Sequence, residues 1–461
     1  MGALAPDSLS AVSAIGEWIR GLPARHGRKT LVALVAILVL GFGLRAYRVI
    51  EPLGAPGDDA HAYYALSKSL YEEGSYGGPS FQNPSDWSPG APLLYAASFY
   101  ATAGAREGTA RIVELLLGLA AILVVYLLGR RIACRPAGLL AAFAVAVYPP
   151  FIHSTGALYS EPPAIFTLPA AVLAFLWASD ASPRARWLVP GFLFGLTALI
   201  RPEYLIVGVA FAVLALIRIV RESGWRPSLA GTALFLLAFL LPIVPWTVRN
   251  VVVLDRVVPI STGGGKALYV GTFLPADGEY DRVKARLTER YLHRDLPPDS
   301  EALERVDPTP LFDRVAGRYP DLPRDSALGK IGKQNFSRFF GEDPAGYAAM
   351  TARKIWRMWS AGVGEAFESS SGRVVQVLLV LLGLTGLAVL AARRRWWELA
   401  SLATPIALVT VVGAVSLAAP RRNEILMTLI FPLAGAALAR AGSAISSGGS
   451  WSPRQASSPP S

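Results

Sequence analysis

The chain has 461 residues, 53% of them hydrophobic and 17% charged, and its mean hydropathy is positive. Soluble domains carry about 25% charged residues, so a water-soluble globular body is excluded. The formal net charge of +11 would point to nucleic acid in a soluble protein, but here the basic residues gather in short clusters between apolar blocks, which assigns them to a membrane surface and excludes a nucleic-acid partner.

Read in chain order, residues 1–29 form a cytoplasmic N-terminal segment. No small-residue cleavage site follows a short apolar core there, so the first apolar block is a retained helix rather than a signal peptide. Apolar blocks near 31–49, 110–129, 137–152, 162–179, 187–200, 203–220, 229–246, 374–392, 398–418 and 424–440 have about the length that crosses a bilayer core as a helix. The class is an all-α polytopic membrane protein of about ten spans. Basic clusters Arg25/Arg28/Lys29, Arg130/Arg131/Arg135, Arg184/Arg186, Arg218/Arg221/Arg226 and Arg393/Arg394/Arg395 fall at every second loop, which puts the N-terminus inside. The loops 50–109, 153–161, 201–202, 247–373 and 419–423 are then outside. Residues 30–250 form a transmembrane module holding a first outer loop at 50–109, residues 251–373 a mixed extracytoplasmic loop domain, and 374–440 the C-terminal spans. A Ser-, Pro- and Gly-rich tail, 441–461, reads as disordered. The single cysteine, Cys134, lies in a cytoplasmic loop and cannot form an intramolecular disulfide.

Two outer segments are too long to be mere connections. In the first, Tyr63, Leu66 and Leu70 recur at helical spacing behind the acidic pair Asp58-Asp59, the pattern of an amphipathic helix with an acidic N-terminus. Adjacent helical residues point about 100° apart, so one carboxylate can act while the other caps. The second opens on Gly263-Gly264-Gly265-Lys266 and closes on Tyr347 to Trp359, a Lys/Arg/Trp mixture that suits an interfacial helix. The glycine run is not a nucleotide site, because Ala267 stands where a phosphate loop needs Ser or Thr.

Glu161, in Tyr159-Ser160-Glu161-Pro162-Pro163, stands at the mouth of a span. It is placed either to cap that helix or to face a lipid headgroup. Arg201, Glu203, Arg249, Arg421 and Arg422 also stand at outer helix ends, where basic residues are unexpected. They can snorkel, or bind a phosphate through forked donors. His26, His61, His153 and His293 lack metal-ligand spacing; His61 and His153 are left as possible lining of a polar cavity. No Gly-x-Ser-x-Gly elbow is present.

Several of these stretches, in this order, resemble the polyprenyl-phosphate-sugar dependent transferases of glycosyltransferase family 39 and the GT-C fold, whose relatives include protein O-mannosyltransferases and lipid A aminoarabinose transferases. The stretches are Gly57-Asp58-Asp59 with Tyr63-Tyr64-Ala65-Leu66, Trp87 to Leu93, Ala110 to Arg131, Tyr148-Pro149 through Ser160-Glu161-Pro162, Pro245 to Asn250, Leu268-Tyr269-Val270-Gly271, and Pro420-Arg421-Arg422 followed by Pro432. The resemblance implies a GT-C helix bundle in a bacterial inner membrane, working on the extracytoplasmic face. It implies Asp58 as catalytic base with Asp59 beside it, Arg201, Arg249, Arg421, Arg422 and Lys266 for the donor phosphate, and Glu161, His61, Tyr63, His153, Glu203 and Tyr269 around the substrate cavity. The donor would be a polyprenyl-phosphate sugar and the acceptor a glycan, lipid or protein, with no tightly bound cofactor and the need for a divalent metal left open. The family pairs aspartate with glutamate where this chain has Asp58-Asp59. Two alternatives stand beside the transferase: a transporter or flippase of a lipid-linked glycan, and an inactive relative that binds envelope components.

Overall fold

The computed structural model describes residues 27–51, 58–77, 84–180, 184–223, 225–298, 300–364, 367 and 369–446. The expected segment 1–26 and most of the expected tail, 447–461, lie outside these. Among the described residues the chain is helical, without strands.

Among the described residues eight helices are long and apolar enough to cross a membrane: α1 (Arg28–Ile50), α4 (Glu107–Ile132), α7 (Glu161–Ser179), α9 (Tyr204–Ser223), α10 (Trp225–Leu254), α17 (Ser370–Ala392), α18 (Trp396–Val415) and α19 (Pro420–Ser446). Two shorter apolar helices, α5 (Arg135–Val147) and α8 (Leu188–Ile200), stand where the two remaining spans were expected. The outer faces of the long helices carry bare apolar side chains such as Val39, Leu116, Leu237 and Leu381, as lipid-facing surfaces do. Inside, close helix approach relies on small residues. A Cβ on Gly191 or Gly195 of α8 would meet a backbone oxygen of α10 at 2.2 or 2.3 Å.

The most enclosed spans are α7 and α19, each 72% buried, and α19 packs on α4, α5, α7 and α17. Their two ends are chemically distinct. At one end Arg131 bonds Asp180 at 2.7 Å and Glu398 at 3.0 Å, and Arg395 bonds Glu398 at 2.6 Å, so three inter-helix turns bearing the basic clusters are tied together. Glu161 and Arg421 stand at the other end. A 19-residue helix separates these ends by about 28 Å.

On the Glu161 side, the first loop supplies α2 (Asp58–Glu72) and α3 (Gly90–Thr102), which pack together; Tyr63 is buried in that contact zone, and Leu66 is buried against Tyr76, Leu199 and Trp246. A short helix, α6 (Pro149–Ser154), precedes α7. The second outer segment folds as α11 (Gly264–Thr272), α12 (Tyr280–Leu292), α13 (Glu301–Glu304), α14 (Thr309–Ala316), α15 (Arg324–Glu342) and α16 (Pro344–Ser360). Its core is Tyr269, Val270, Leu311, Phe312, Val315, Leu328 and Ile331. Helix α16, the element read from Tyr347 to Trp359, rests on α18 and α19 and exposes Trp356.

Several boundaries differ from the sequence reading. The last span begins at Pro420, so Arg421 and Arg422 stand in its first turn rather than in a loop, and it continues to Ser446, past position 441. Proline suits the first turn because the N–H it lacks would have no intrahelical partner.

Candidate functional site

Three helix ends converge at this face. Proline at the first turns of α7 and α19 starts both helices there, delivering Glu161 and the Arg421-Arg422 pair. Between them the chain breaks after Ile200 and restarts at Tyr204, presenting Arg201 and Glu203 on the turn. Helix α2 comes over the top with Asp59 and Tyr63.

The centre is Arg421. Its Nε donates to Glu161 Oε1 at 2.6 Å and Nη2 to Oε2 at 3.2 Å, a two-point fork, while Nη1 donates to Asp59 Oδ2 at 2.6 Å. The guanidinium also stacks over the Tyr159 ring at 4.8 Å. The two acids differ in burial: the Glu161 side chain is 1% exposed and that of Asp59 46%. Glu161 is held from the other side by Arg201, 3.5 Å from Oε1, and Arg201 Nη1 donates to Ser160 Oγ at 3.3 Å. Arg201 continues to Glu203 at 3.6 Å, and Glu203 to Arg422 at 4.0 Å. Three guanidinium groups thus face three carboxylates in a continuous chain.

Burial opposes charge on Arg201, but the Glu161 and Glu203 carboxylates outweigh it and hold its pKa above the ordinary value. Burial likewise opposes ionisation of Glu203, and Arg201 and Arg422 overcome it, keeping that carboxyl below its usual range. The Tyr63 hydroxyl is raised by burial, and Ser160 is its hydrogen-bond neighbour.

The remaining predicted residues take other places. Asp58 is the first residue of α2, next to Asp59. Lys266 is enclosed between the Tyr280 and Phe312 rings, 5.5 Å from each. Burial lowers its pKa, against the raising influence of Asp86 and Asp59. Arg249 anchors the first loop: it donates to Ser85 Oγ at 3.0 Å and the Tyr76 carbonyl at 2.9 Å, and it lies over Trp246. Tyr269 is in the loop-domain core against Phe273 and Phe312, where burial pushes its hydroxyl up to about 12. His61 is exposed on α2, and the His153 ring lies against Gly364. The glycine turn at 263–265 already holds an anion of its own. Asp325 Oδ1 accepts from the backbone N–H groups of Gly263, Gly265 and Lys266 at 3.2, 2.8 and 3.2 Å.

Three groups near the site were not singled out in the sequence. Glu424 is buried on α19, one of its carboxyl oxygens lacking any hydrogen-bond partner. Glu114 is buried two turns into α4, bonded to Tyr95. Lys354 of α16 donates to the Gly271 and Ala414 carbonyls, both at 2.8 Å. The signal for the two glutamates was available, since an acid inside an apolar block is functional by default. Among the described residues no three His, Cys, Asp or Glu side chains are grouped closely enough to hold a metal ion.

Residues 86–246 match the family model described as dolichyl-phosphate-mannose-protein mannosyltransferase. That stretch includes Glu114, Glu161, Arg201 and Glu203, but not Asp58, Asp59 or Arg421. The chain is similar to the crystal structure of the Archaeoglobus fulgidus oligosaccharyltransferase in the apo form, with TM-score 0.55 and 16% identity over 90% of this chain and 52% of that one. An archaeal oligosaccharyltransferase, AglB from Archaeoglobus fulgidus in complex with an inhibitory peptide and a dolichol-phosphate, matches at TM-score 0.54 and 14% identity, over 91% of this chain and 51% of that one. The crystal structure of ArnT from Cupriavidus metallidurans in the apo state aligns at TM-score 0.38 and 16% identity, over 90% of this chain and 78% of that one. The chain spans about half the length of the oligosaccharyltransferases it matches. No curated protein matches it in sequence. The fold is that of these oligosaccharyltransferases, the GT-C membrane fold.

Proposed function

We propose that this protein is a multi-pass membrane glycosyltransferase that moves a sugar from a polyprenyl-phosphate donor to an envelope acceptor on the extracytoplasmic face of a bacterial inner membrane. The observation that carries this reading is Arg421, shared between buried Glu161 and half-exposed Asp59 at the end of the two most enclosed helices. The family description names a dolichyl-phosphate-linked sugar, and one structural neighbour was solved with a dolichol-phosphate; both agree with a lipid-phosphate donor.

The chemistry follows from the charges. An acceptor hydroxyl or amine attacks the anomeric carbon, the bond from that carbon to the phosphate oxygen breaks, and the acceptor's proton passes to a carboxylate at the start of α2, Asp58 being the first choice. The departing phosphate gains charge, and guanidinium donors already aimed at it lower the barrier. Glu161 keeps the Arg421 fork oriented, whereas Asp59 is solvated enough to yield its place on Nη1 to a phosphate oxygen. One displacement without a covalent intermediate inverts the anomeric configuration.

A transporter would place its ionisable groups near the bilayer midplane. Here the buried acids Glu161, Glu424 and Glu114 occupy the first two turns of their helices, all at one end of the bundle. The deciding experiment incubates the purified protein with labelled polyprenyl-phosphate sugars and membrane extract, comparing wild type with Asp58→Asn. Transfer by wild type and its loss in the variant is the expected result. Equal transfer by both removes Asp58 as the base, and no transfer from any donor sinks the enzyme reading.

A further inference from the structure

The loop that carries Glu161 into the site is short and conformationally demanding. Gly156 has φ 84° and Leu158 φ 59°, the left-handed region that bulky side chains avoid; Leu158 is nevertheless fully buried. Gly156 cannot take a side chain in any case, since a Cβ would lie 2.9 Å from the Arg48 carbonyl oxygen. Such a conformation persists only where its surroundings hold it. One side chain holds both residues: Glu114 Oε2 accepts the Gly156 N–H at 2.7 Å and the Leu158 N–H at 3.4 Å.

Proton counting then fixes the form of that carboxyl. The Tyr95 hydroxyl oxygen is 2.5 Å from Glu114 Oε1 and 2.7 Å from the Tyr159 carbonyl oxygen. A carbonyl only accepts, and a tyrosine has one proton to give. With Glu114 ionised, the Tyr95 proton serves Glu114 and two oxygens face each other across 2.7 Å with nothing between. With Glu114 protonated on Oε1, it donates to Tyr95, Tyr95 donates to Tyr159, and every partner is satisfied. The carboxyl is fully buried, where an uncompensated ion is costly, and the nearby Glu161 carboxylate adds to the cost of charging it.

We propose that Glu114 is a positioning residue: a neutral carboxylic acid that clamps the loop 155–160 through Gly156, Leu158 and Tyr95, and so sets the Tyr159 ring beneath Arg421, Ser160 against Arg201 and Glu161 in the Arg421 fork. The activity arm of its test rests on the transferase reading; the spectroscopic and exchange arms do not.

The test uses the full-length protein with Glu114→Gln, Glu114→Ala and Tyr95→Phe. Glutamine reproduces the neutral acid, its oxygen accepting from the loop and its amide donating to Tyr95. It should therefore keep transfer within about 3-fold of wild type, whereas alanine and Tyr95→Phe should lower kcat by about 10- to 100-fold with little change in KM for the donor, as small displacements of catalytic groups do. Hydrogen exchange at the Gly156 and Leu158 amides should quicken in Glu114→Ala and not in Glu114→Gln, and the infrared band of a protonated carboxylic C=O should disappear in Glu114→Gln. If Glu114→Gln is as impaired as Glu114→Ala, or if that band is unaltered, the neutral acid is overturned. Wild-type kcat in Tyr95→Phe together with unaltered exchange in Glu114→Ala overturns the clamp. Should wild type itself transfer nothing, the transferase reading fails while exchange and infrared spectra still decide on Glu114.

Discussion

Arg421 bonds two carboxylates that differ in distance from water and in the number of bonds they accept, so its two partnerships should differ in strength by a calculable margin. Glu161 is 1% exposed and is gripped by a two-point fork. Removing one partner of a buried pair costs about 3–5 kcal/mol, because the other charge stays buried; Arg201, 3.5 Å from the same oxygen, keeps the loss near the lower figure. Asp59 is 46% exposed, and pairs of that kind contribute about 0–1 kcal/mol. Double-mutant cycles built from Arg421→Met with Glu161→Gln and with Asp59→Asn, read by SDS-titrated unfolding, should thus give a coupling of roughly 2–3 kcal/mol for Glu161 and under about 1 kcal/mol for Asp59. Transfer should respond separately. On the proposed mechanism Arg421→Met removes a donor to the departing phosphate and should lose about 10²–10³ in kcat, while Arg421→Lys keeps a point charge without the fork and should fall between. Equal couplings for the two acids, or a stronger one for Asp59, would refute the division into a fixed and an exchangeable partner.

Two further outcomes test the frame around the site. Burial, reinforced by Arg422 and Arg357, pushes the Lys354 ammonium down to about 7 from 10.5, so between those pH values the unfolded chain binds more protons than the folded one and stability rises with pH. In Lys354→Met that rise from about pH 7 to 10.5 should vanish from the unfolding midpoint whatever its starting level; an unchanged slope would show that Lys354 keeps an ordinary pKa. Sidedness is read with the exposed Cys134: a membrane-impermeant maleimide should leave it unlabelled in intact spheroplasts, yet label a cysteine replacing Glu301 in a Cys134→Ser background. Labelling of Cys134 from outside would invert the assigned topology.

Most spans were legible because bilayer thickness imposes a length on apolar runs: eight of the ten expected positions carry a helix long and apolar enough to cross, and the two near 137–152 and 187–200 carry shorter apolar helices. The helix ends were less so. Hydropathy starts the last span near 424, but Pro420 starts the helix four residues earlier, because proline tolerates the first turn and arginines at a helix end can still reach water or an acid. That shift matters chemically, since it places Arg421 on a rigid helix rather than on a loop. The types of residue in the site were also legible, as acids and arginines at outer helix ends. Their pairing was not. Asp59 and Arg421 are 362 residues apart in sequence, and nothing local states that they share a hydrogen bond.

Two features of the structure had no local statement in the sequence. Gly263 to Lys266 has the look of an anion cradle, and its amides are in fact spent on the chain's own Asp325, so an apparent ligand site is an internal helix cap. Glu114 passed unremarked in an apolar block, yet an acid two turns inside a membrane helix carries a large penalty unless its hydrogen bonds are complete. Gly156, Leu158 and Tyr95 complete them. Side chains whose purpose is to satisfy a distant backbone leave no spacing pattern in the sequence; the surviving trace is that the residue is expensive where it stands. Here the site is assembled from helix ends far apart in the chain, and a buried acid that holds a short loop helps to shape the face that the arginines line.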